Sequence, residues 1–428
     1  MASSSSLLDW RDRLLAALPA AGGPLASVQE RGRQALQTLV PPHGRQEAWR
    51  FTDLARLAAL PPQLSILESS SIAPRAAGGD RPEPVPSPEP GPADPVLRLV
   101  IPAGQPGVDP LDGVVLPTGL SRLSPGEVEQ ALGHTLGATG CEHDWPVELN
   151  HATALTVLAL RVSGRARVRL ELQVEAAPGL QAHRLLLILE EKADLELSQQ
   201  QLAVAGALCS LVVEAHLGRG ARLHHGLVAP GHPEAAFLTH LAVEQEPESV
   251  LQLVCASGGW GLSRLEPRLH QVDGTARSVL RGLQLVDDDQ LSDTHSRIRF
   301  SGPEGQLDQL HKVVAAGTGR SVFNGAVQVP RAAQHTEASQ MSRALLLSDR
   351  ARIDTKPELE IVADDVRCAH GATVSSLQQD ELFYLQSRGI AHDQAAALLK
   401  RAFCEDVLRE LPAPARDWRA LDVLLQEL

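Results

Sequence analysis

The densest chemistry in this 428-residue chain lies between Lys356 and Thr373, ending in the run Cys368-Ala369-His370-Gly371-Ala372-Thr373. On a β-strand, residues two apart share a face, so the Cys368 thiol and the His370 imidazole would project side by side. Such a pair suits a soft transition metal or a metal–sulfur cluster, but it is an incomplete ligand set. Two more ligands must come from elsewhere. The five cysteines, Cys141, Cys209, Cys255, Cys368 and Cys404, are odd in number and scattered, with no Cys-x-x-Cys pair. That argues against a disulfide framework and against a self-sufficient zinc or cluster site.

Two other constellations carry less. Gly317-Thr318-Gly319-Arg320-Ser321 is glycine-rich but has no lysine to reach a phosphate, and it falls between strand patterns. It reads as a turn rather than a nucleotide loop, so any ATP used by the system binds to a partner. Asp287-Asp288-Asp289 and Asp293 could supply carboxylates for general-base or Ca²⁺ work. The alternative is a solvated acidic turn, and aromatics, at 3% of residues, are too scarce to line a sugar-stacking groove.

The elements that must position Cys368 and His370 show three regimes. Leu7, Leu8, Trp10, Leu14, Leu15 and Leu18 recur at helical spacing, and a second helical stretch spans about Leu25 to Leu39 before Pro41 and Pro42. Eight prolines between Pro74 and Pro95 mark an extended linker. From about Leu149 the period becomes two: Val168, Leu170, Leu172 and Val174 alternate with Arg167, Arg169, Glu171, Gln173 and Glu175. Similar runs recur at Leu155–Val162, Leu185–Leu189, Leu208–Val213, Leu223–Val228, Val250–Cys255 and Val279–Val286, punctuated by glycine turns. More than 200 residues of short strands without helices fit a sandwich or a β-solenoid, and a solenoid lengthens freely by adding coils. The tail is helical again, with Gly389 suited to end one helix and Ala395, Leu398, Leu399, Ala402, Phe403 and Val407 forming an amphipathic stripe. The resulting division is a helical region at 1–73, a linker at 74–95, a β core at 96–376 and a helical region at 377–428.

Composition bounds the rest. Hydrophobic residues at 43% and charged residues at 21% describe a folded domain, and a net charge of −13 without a basic block argues against nucleic acid. The N-terminal stretch has no signal-peptide pattern and no apolar run is long enough for a membrane span, so a cytoplasmic or plastid-like location is expected.

Beyond chemistry and period, the chain resembles the SufB/SufD family of iron–sulfur cluster assembly scaffolds. The resemblance is carried by Phe323-Asn324-Gly325, Ala333-Gln334-His335-Thr336, Leu345-Leu346-Leu347-Ser348, Thr355-Lys356-Pro357-Glu358-Leu359-Glu360-Ile361, the Cys368–Thr373 motif and Phe383-Tyr384-Leu385-Gln386-Ser387-Arg388-Gly389-Ile390. It is close over residues 295–405, and Trp49-Arg50-Phe51-Thr52-Asp53-Leu54 matches the family's N-terminal motif. Where the SufB branch presents a cysteine, this chain has Gln340-Met341-Ser342. A thioether accepts iron or sulfide far less readily than a thiolate, which places the chain on the SufD side.

The resemblance implies a right-handed parallel β-helix with helical regions at both ends and no catalysis of its own. It implies pairing with SufB through the C-terminal end of the β-helix, with His370, Cys368 and Thr373 at the interface where a transient cluster or iron is built. It also implies that the C-terminal helices dock the SufC ATPase through Phe383, Tyr384, Arg388, Gly389, Leu399 and Phe403, so that ATP acts only through SufC. No cofactor is expected to stay bound, and homodimerisation without SufB is left open. A SufB-like cluster-bearing scaffold and a polysaccharide-acting solenoid are the competing readings.

Overall fold

The computed structural model describes residues 4–52, 54–66 and 96–425. The expected proline-rich linker and Asp53 of the N-terminal motif lie outside these residues. Strands dominate, arranged as two nine-stranded sheets that face each other. From Leu158–Val162 onward successive strands go to alternate sheets, so each coil contributes one strand to each and pairs in parallel with the coils before and after it. The result is a parallel β-solenoid of about eight coils.

Register explains why the alternating pattern produces this shape. Val168 pairs with Leu195, Leu195 with Leu223 and Leu223 with Leu251, so one inward column is apolar from coil to coil. All four side chains are buried in the core between the sheets. Burying one such aliphatic side chain stabilises by roughly 1.5–3 kcal/mol, and each coil adds several. The expected β-solenoid is therefore the observed one. One local expectation fails: residues near Leu149 lie not in strands but in a buried helix, Trp145–Thr153, and the regular strands begin at Leu158–Val162.

Helices clad both outer faces. On one sheet lie α1 (Ser4–Ala16), α2 (Ala26–Thr38), α3 (Pro125–Ala131), α4 (His134–Thr139) and α5 (Trp145–Thr153). Leu7, Trp10, Leu14, Leu36 and Leu57 pack there against Leu208, Leu238, Leu262 and Leu291. The opposite sheet carries α7 (His392–Leu408), α8 (Ala413–Asp417) and α9 (Ala420–Leu425), preceded by α6 (Gln379–Ser387). The buried stripe of α7 is Ala395, Cys404, Val407 and Leu408. Leu398 and Ala402, expected inside, face outward. The helix is rotated because Val407, Leu408 and Leu411 seat against Val254, Leu283 and Val314 of the sheet.

The two ends of the solenoid differ. At the first coil, Val96–Ile101 extends one sheet and Leu120–Arg122 closes the other in antiparallel fashion. At the last coil, Arg352–Ile361 and Arg367–Ser376 are edge strands, each hydrogen-bonded on one side only. The central strand Ala236–Gln245 is buried throughout, whereas Arg352–Ile361 has no buried position and Arg367–Ser376 is largely exposed. Arg367–Ser376 carries the Cys-x-His motif.

Candidate functional site

Cys368 pairs in register with Ala338 and His370 with Gln340, both on the preceding strand Glu337–Leu346. Ala338 and Gln340 are buried between the sheets, so Cys368 and His370 share the inward face, as strand alternation requires. Cys368 is half-buried and packs against the solenoid core. Burial pushes its thiol pKa up, a trend that a backbone hydrogen bond at Ala338 opposes. His370 is exposed because no further coil covers it. Gly371 and Thr373 alternate to the outer face, where Gly371 lies against Met341: a Cβ at 371 would stand 2.9 Å from the Met341 Cε. Met341 and Thr373 therefore do not join Cys368 and His370. Beside the motif a groove of about 490 Å³ is lined by Arg277, Asp308, Glu337, Arg367 and Cys368, with Arg367 Nη1 3.2 Å from Glu337 Oε1.

The other cysteines are free and buried, and burial raises the Cys141, Cys255 and Cys404 thiols to about 12. They are poor thiolate sources. Cys368 is the one cysteine with solvent access, which leaves it and His370 as an incomplete ligand pair on an open rim.

A second set of inward polar residues, facing one another across the two sheets, went unweighted in the sequence. Gln340 Nε2 donates to Gln309 Oε1 at 2.9 Å, and Gln309 Nε2 donates to Ser296 Oγ at 2.9 Å. Nearby, His311 stacks on Phe323 with ring centroids 4.5 Å apart, and burial lowers its pKa to about 3. Isolated Gln, Ser and His in a strand pattern read as surface positions, so composition gave little signal for them.

Of the residues expected to meet an ATPase, Phe383 and Tyr384 on α6 are exposed at 72% and 57%. Arg388 lies over the Tyr384 ring at 5.5 Å, and Gly389 takes φ +85° at the α6–α7 turn. Leu399 and Phe403 are only half-exposed. Phe403 turns towards its own solenoid, where Lys312 Nζ sits 4.4 Å from its ring centroid and donates to its carbonyl at 2.7 Å. Lys312 also pairs with Asp406 at 2.6 Å, and Arg281 joins Asp308 at 2.7 Å to Glu410 at 2.8 Å. These two cations on neighbouring strands fasten α7 to the sheet.

The N-terminal motif has a comparable role. Arg264 lies 3.7 Å from the Trp49 ring centroid, donates to the Ala48 carbonyl at 3.0 Å and pairs with Glu266 at 2.6 Å and with Asp293. Thr52 donates to Asp293 from the other side. Burial opposes ionisation of Glu266, yet Arg264 and Arg268 hold its pKa well below the carboxylate range. Asp144, His240 and Glu266 bring ligand atoms within 4.8 Å of one another. However, Arg268 bonds Glu266 and lies 3.6 Å from Asp144, so guanidinium groups already fill the role of a cation. Asp293, weighed as a hydrolytic carboxylate, is sealed in this network, and Asp287 caps the adjoining turn through the Asp288 N–H at 2.8 Å.

Among the described residues no helix is long and apolar enough to cross a membrane. Residues 172–403 match the family described as SUF system FeS cluster assembly, SufBD core domain. A SufBD family iron–sulfur cluster assembly protein of Synechocystis is 29% identical over 401 residues, covering 88% of this chain and 85% of that protein. The chloroplastic protein ABCI7 of Arabidopsis thaliana is 38% identical over 202 residues, 47% of this chain and 42% of that one. The iron–sulfur cluster assembly protein SufD of Escherichia coli is 36% identical over 132 residues, 31% of each chain.

Proposed function

The chain belongs to the SufBD family of the SUF iron–sulfur cluster assembly system, and on that premise we propose that it is the SufD-type, non-catalytic scaffold. Its last coil pairs with SufB and its C-terminal helices bind the SufC ATPase. The observation that carries this reading is the open last coil. Two edge strands, Arg352–Ile361 part-buried and Arg367–Ser376 exposed, lack a neighbour on one side, and such an edge is a ready template for pairing with another chain. The half-ligand pair Cys368 and His370 stands on that edge, so a partner bringing thiolates would complete the set around iron and sulfide, which are cargo here.

The mechanical part follows from the two cation clasps. Exposed Phe383 and Tyr384 on α6 offer an aromatic anchor for an ATPase. Movement of that partner would be passed through α7, Lys312 and Arg281 to strands Arg277–Val286 and Gln306–Ala315, three and two coils from the His370 strand. Parallel coils bonded along their whole length bend little, so strain applied there reaches the open edge. Two branch features favour SufD over SufB: Met341 where SufB has a cysteine, and a single accessible thiol.

The test is anaerobic reconstitution with SufB and SufC. Co-purification of all three and loss of cluster formation in His370→Ala are expected. Wild-type cluster yield in that variant, or failure of the chain to bind SufB, would sink the assignment. A cluster chromophore on the isolated chain would favour a SufB-like scaffold instead.

A further inference from the structure

Gln340 and Gln309 are register partners on neighbouring strands of one sheet, with Gln340 Nε2 donating to Gln309 Oε1, while Gln309 Nε2 donates across the lumen to Ser296 Oγ on the opposite sheet. Gln309 Oε1 is satisfied by Gln340 in this manner, but Gln340 Oε1 has no partner although it is buried. Gln340 as a whole is 1% exposed. A buried amide oxygen without a donor costs about 1–3 kcal/mol in desolvation, so such an atom usually meets one. The coil after Gln340 is the last, and the residue in register with it is His370, on the same face. Side chains on adjacent parallel strands are about 4.8 Å apart, within reach of a ring nitrogen after a small rotation.

From this we infer that Gln340 is the positioning residue for His370: its Oε1 accepts one ring N–H and leaves the other nitrogen's lone pair facing out of the open end. A neutral imidazole carries one N–H and one lone pair, and the partner of the first decides where the second points. Metal-binding histidines are commonly held in this manner by a second acceptor. Gly325 is what makes room. A Cβ there would stand 2.3 Å from Gln340 Nε2 and 2.8 Å from its Cδ, so the amide reaches across the lumen only because position 325 has no side chain. That gives a reason for the Phe323-Asn324-Gly325 stretch, whose Phe323 packs beside the same amide's neighbour His311.

The inference rests on the scaffold reading for its purpose but not for its test. The ring nitrogens of His370 are followed by ¹⁵N NMR of the full chain alone, with His370→Ala used to assign its signals. Wild type should show one dominant neutral tautomer. Gln340→Met should bring the two tautomers towards equal population. Gly325→Ala, which displaces the amide without removing it, should give the same loss of tautomer preference as Gln340→Met. An unchanged tautomer population in Gln340→Met would overturn the inference. If the spectra respond as expected while His370→Ala assembles clusters normally, the positioning stands and the scaffold role of His370 falls.

Discussion

Lys312→Met is the sharpest probe of how the C-terminal helices are held. Lys312 has a side chain only 3% exposed, and its ammonium donates to Phe403 O at 2.7 Å and to Asp406 Oδ2 at 2.6 Å. Its hydrogen bond is also the first cause of the lowered Asp406 pKa. Methionine keeps the buried stem and removes the charge and both donors. Hydrogen bonds to charged groups contribute about 1.5–3 kcal/mol each. Asp406 is 42% exposed and rehydrates when released, and an uncharged side chain no longer resists burial. A net loss of about 1–3 kcal/mol from α7 docking is the result, equivalent to a roughly 5- to 150-fold rise in local opening. Hydrogen exchange read by mass spectrometry should show faster exchange across 392–411, while strand Ala236–Gln245 on the other sheet stays protected. Unchanged protection at 392–411 would refute the clasp. A uniform loss across the solenoid would show that α7 and the coils open as one unit, which would refute the local lever.

Two further predictions concern stability. His151, His225 and His311, each with its pKa lowered to about 3, and His183, lowered to about 4, are kept neutral chiefly by burial. Unfolded, they would take up protons below about pH 6.5, so stability is intact above that value and falls as pH drops towards 4, by up to about 1.4 kcal/mol per pH unit for each group. The melting temperature should decline over that window and His311→Phe should flatten the decline; a flat profile in wild type would contradict the burial of these rings. Arg264→Met should destabilise by about 3–5 kcal/mol, since it strips a partner from the buried carboxylates Glu266 and Asp293. A urea midpoint within 0.3 M of wild type would remove the network from its role in holding the N-terminal helices; about 3 kcal/mol at an m-value of roughly 2–3 kcal/mol/M moves it by about 1 M or more.

Alternation of apolar and charged residues, as in Arg167–Ala176, is local information, and it was enough to indicate strands, the buried face and a repeating β core. Where both faces are covered the alternation disappears. Ala236–Gln245 is buried at every position and shows no period-two pattern by which to read it as a strand. The Cys-x-His pair was legible because two residues on one strand share a face whatever the fold. That Met341 faces away from His370 was equally implicit in the period, but its meaning needed the register of the last two coils.

Charge was the least legible feature. Arg264-Leu265-Glu266-Pro267-Arg268 alternates like a solvated face, yet Arg264 and Glu266 lie buried and Arg268 part-buried beneath Trp49 and the loop at Asp144. Lys312 and Arg281 similarly look like surface cations and turn out to clamp α7. By itself the sequence determined the strand period, the helical ends, the incomplete thiol–imidazole pair and the family. Only the tertiary structure decided that the last coil is bare and that Gln340 lies beneath His370. The reason is that coil-to-coil neighbours are separated by about thirty residues, as Gln340 and His370 are. Which side chains meet across that distance depends on the summed length of every turn between them, not on any local pattern.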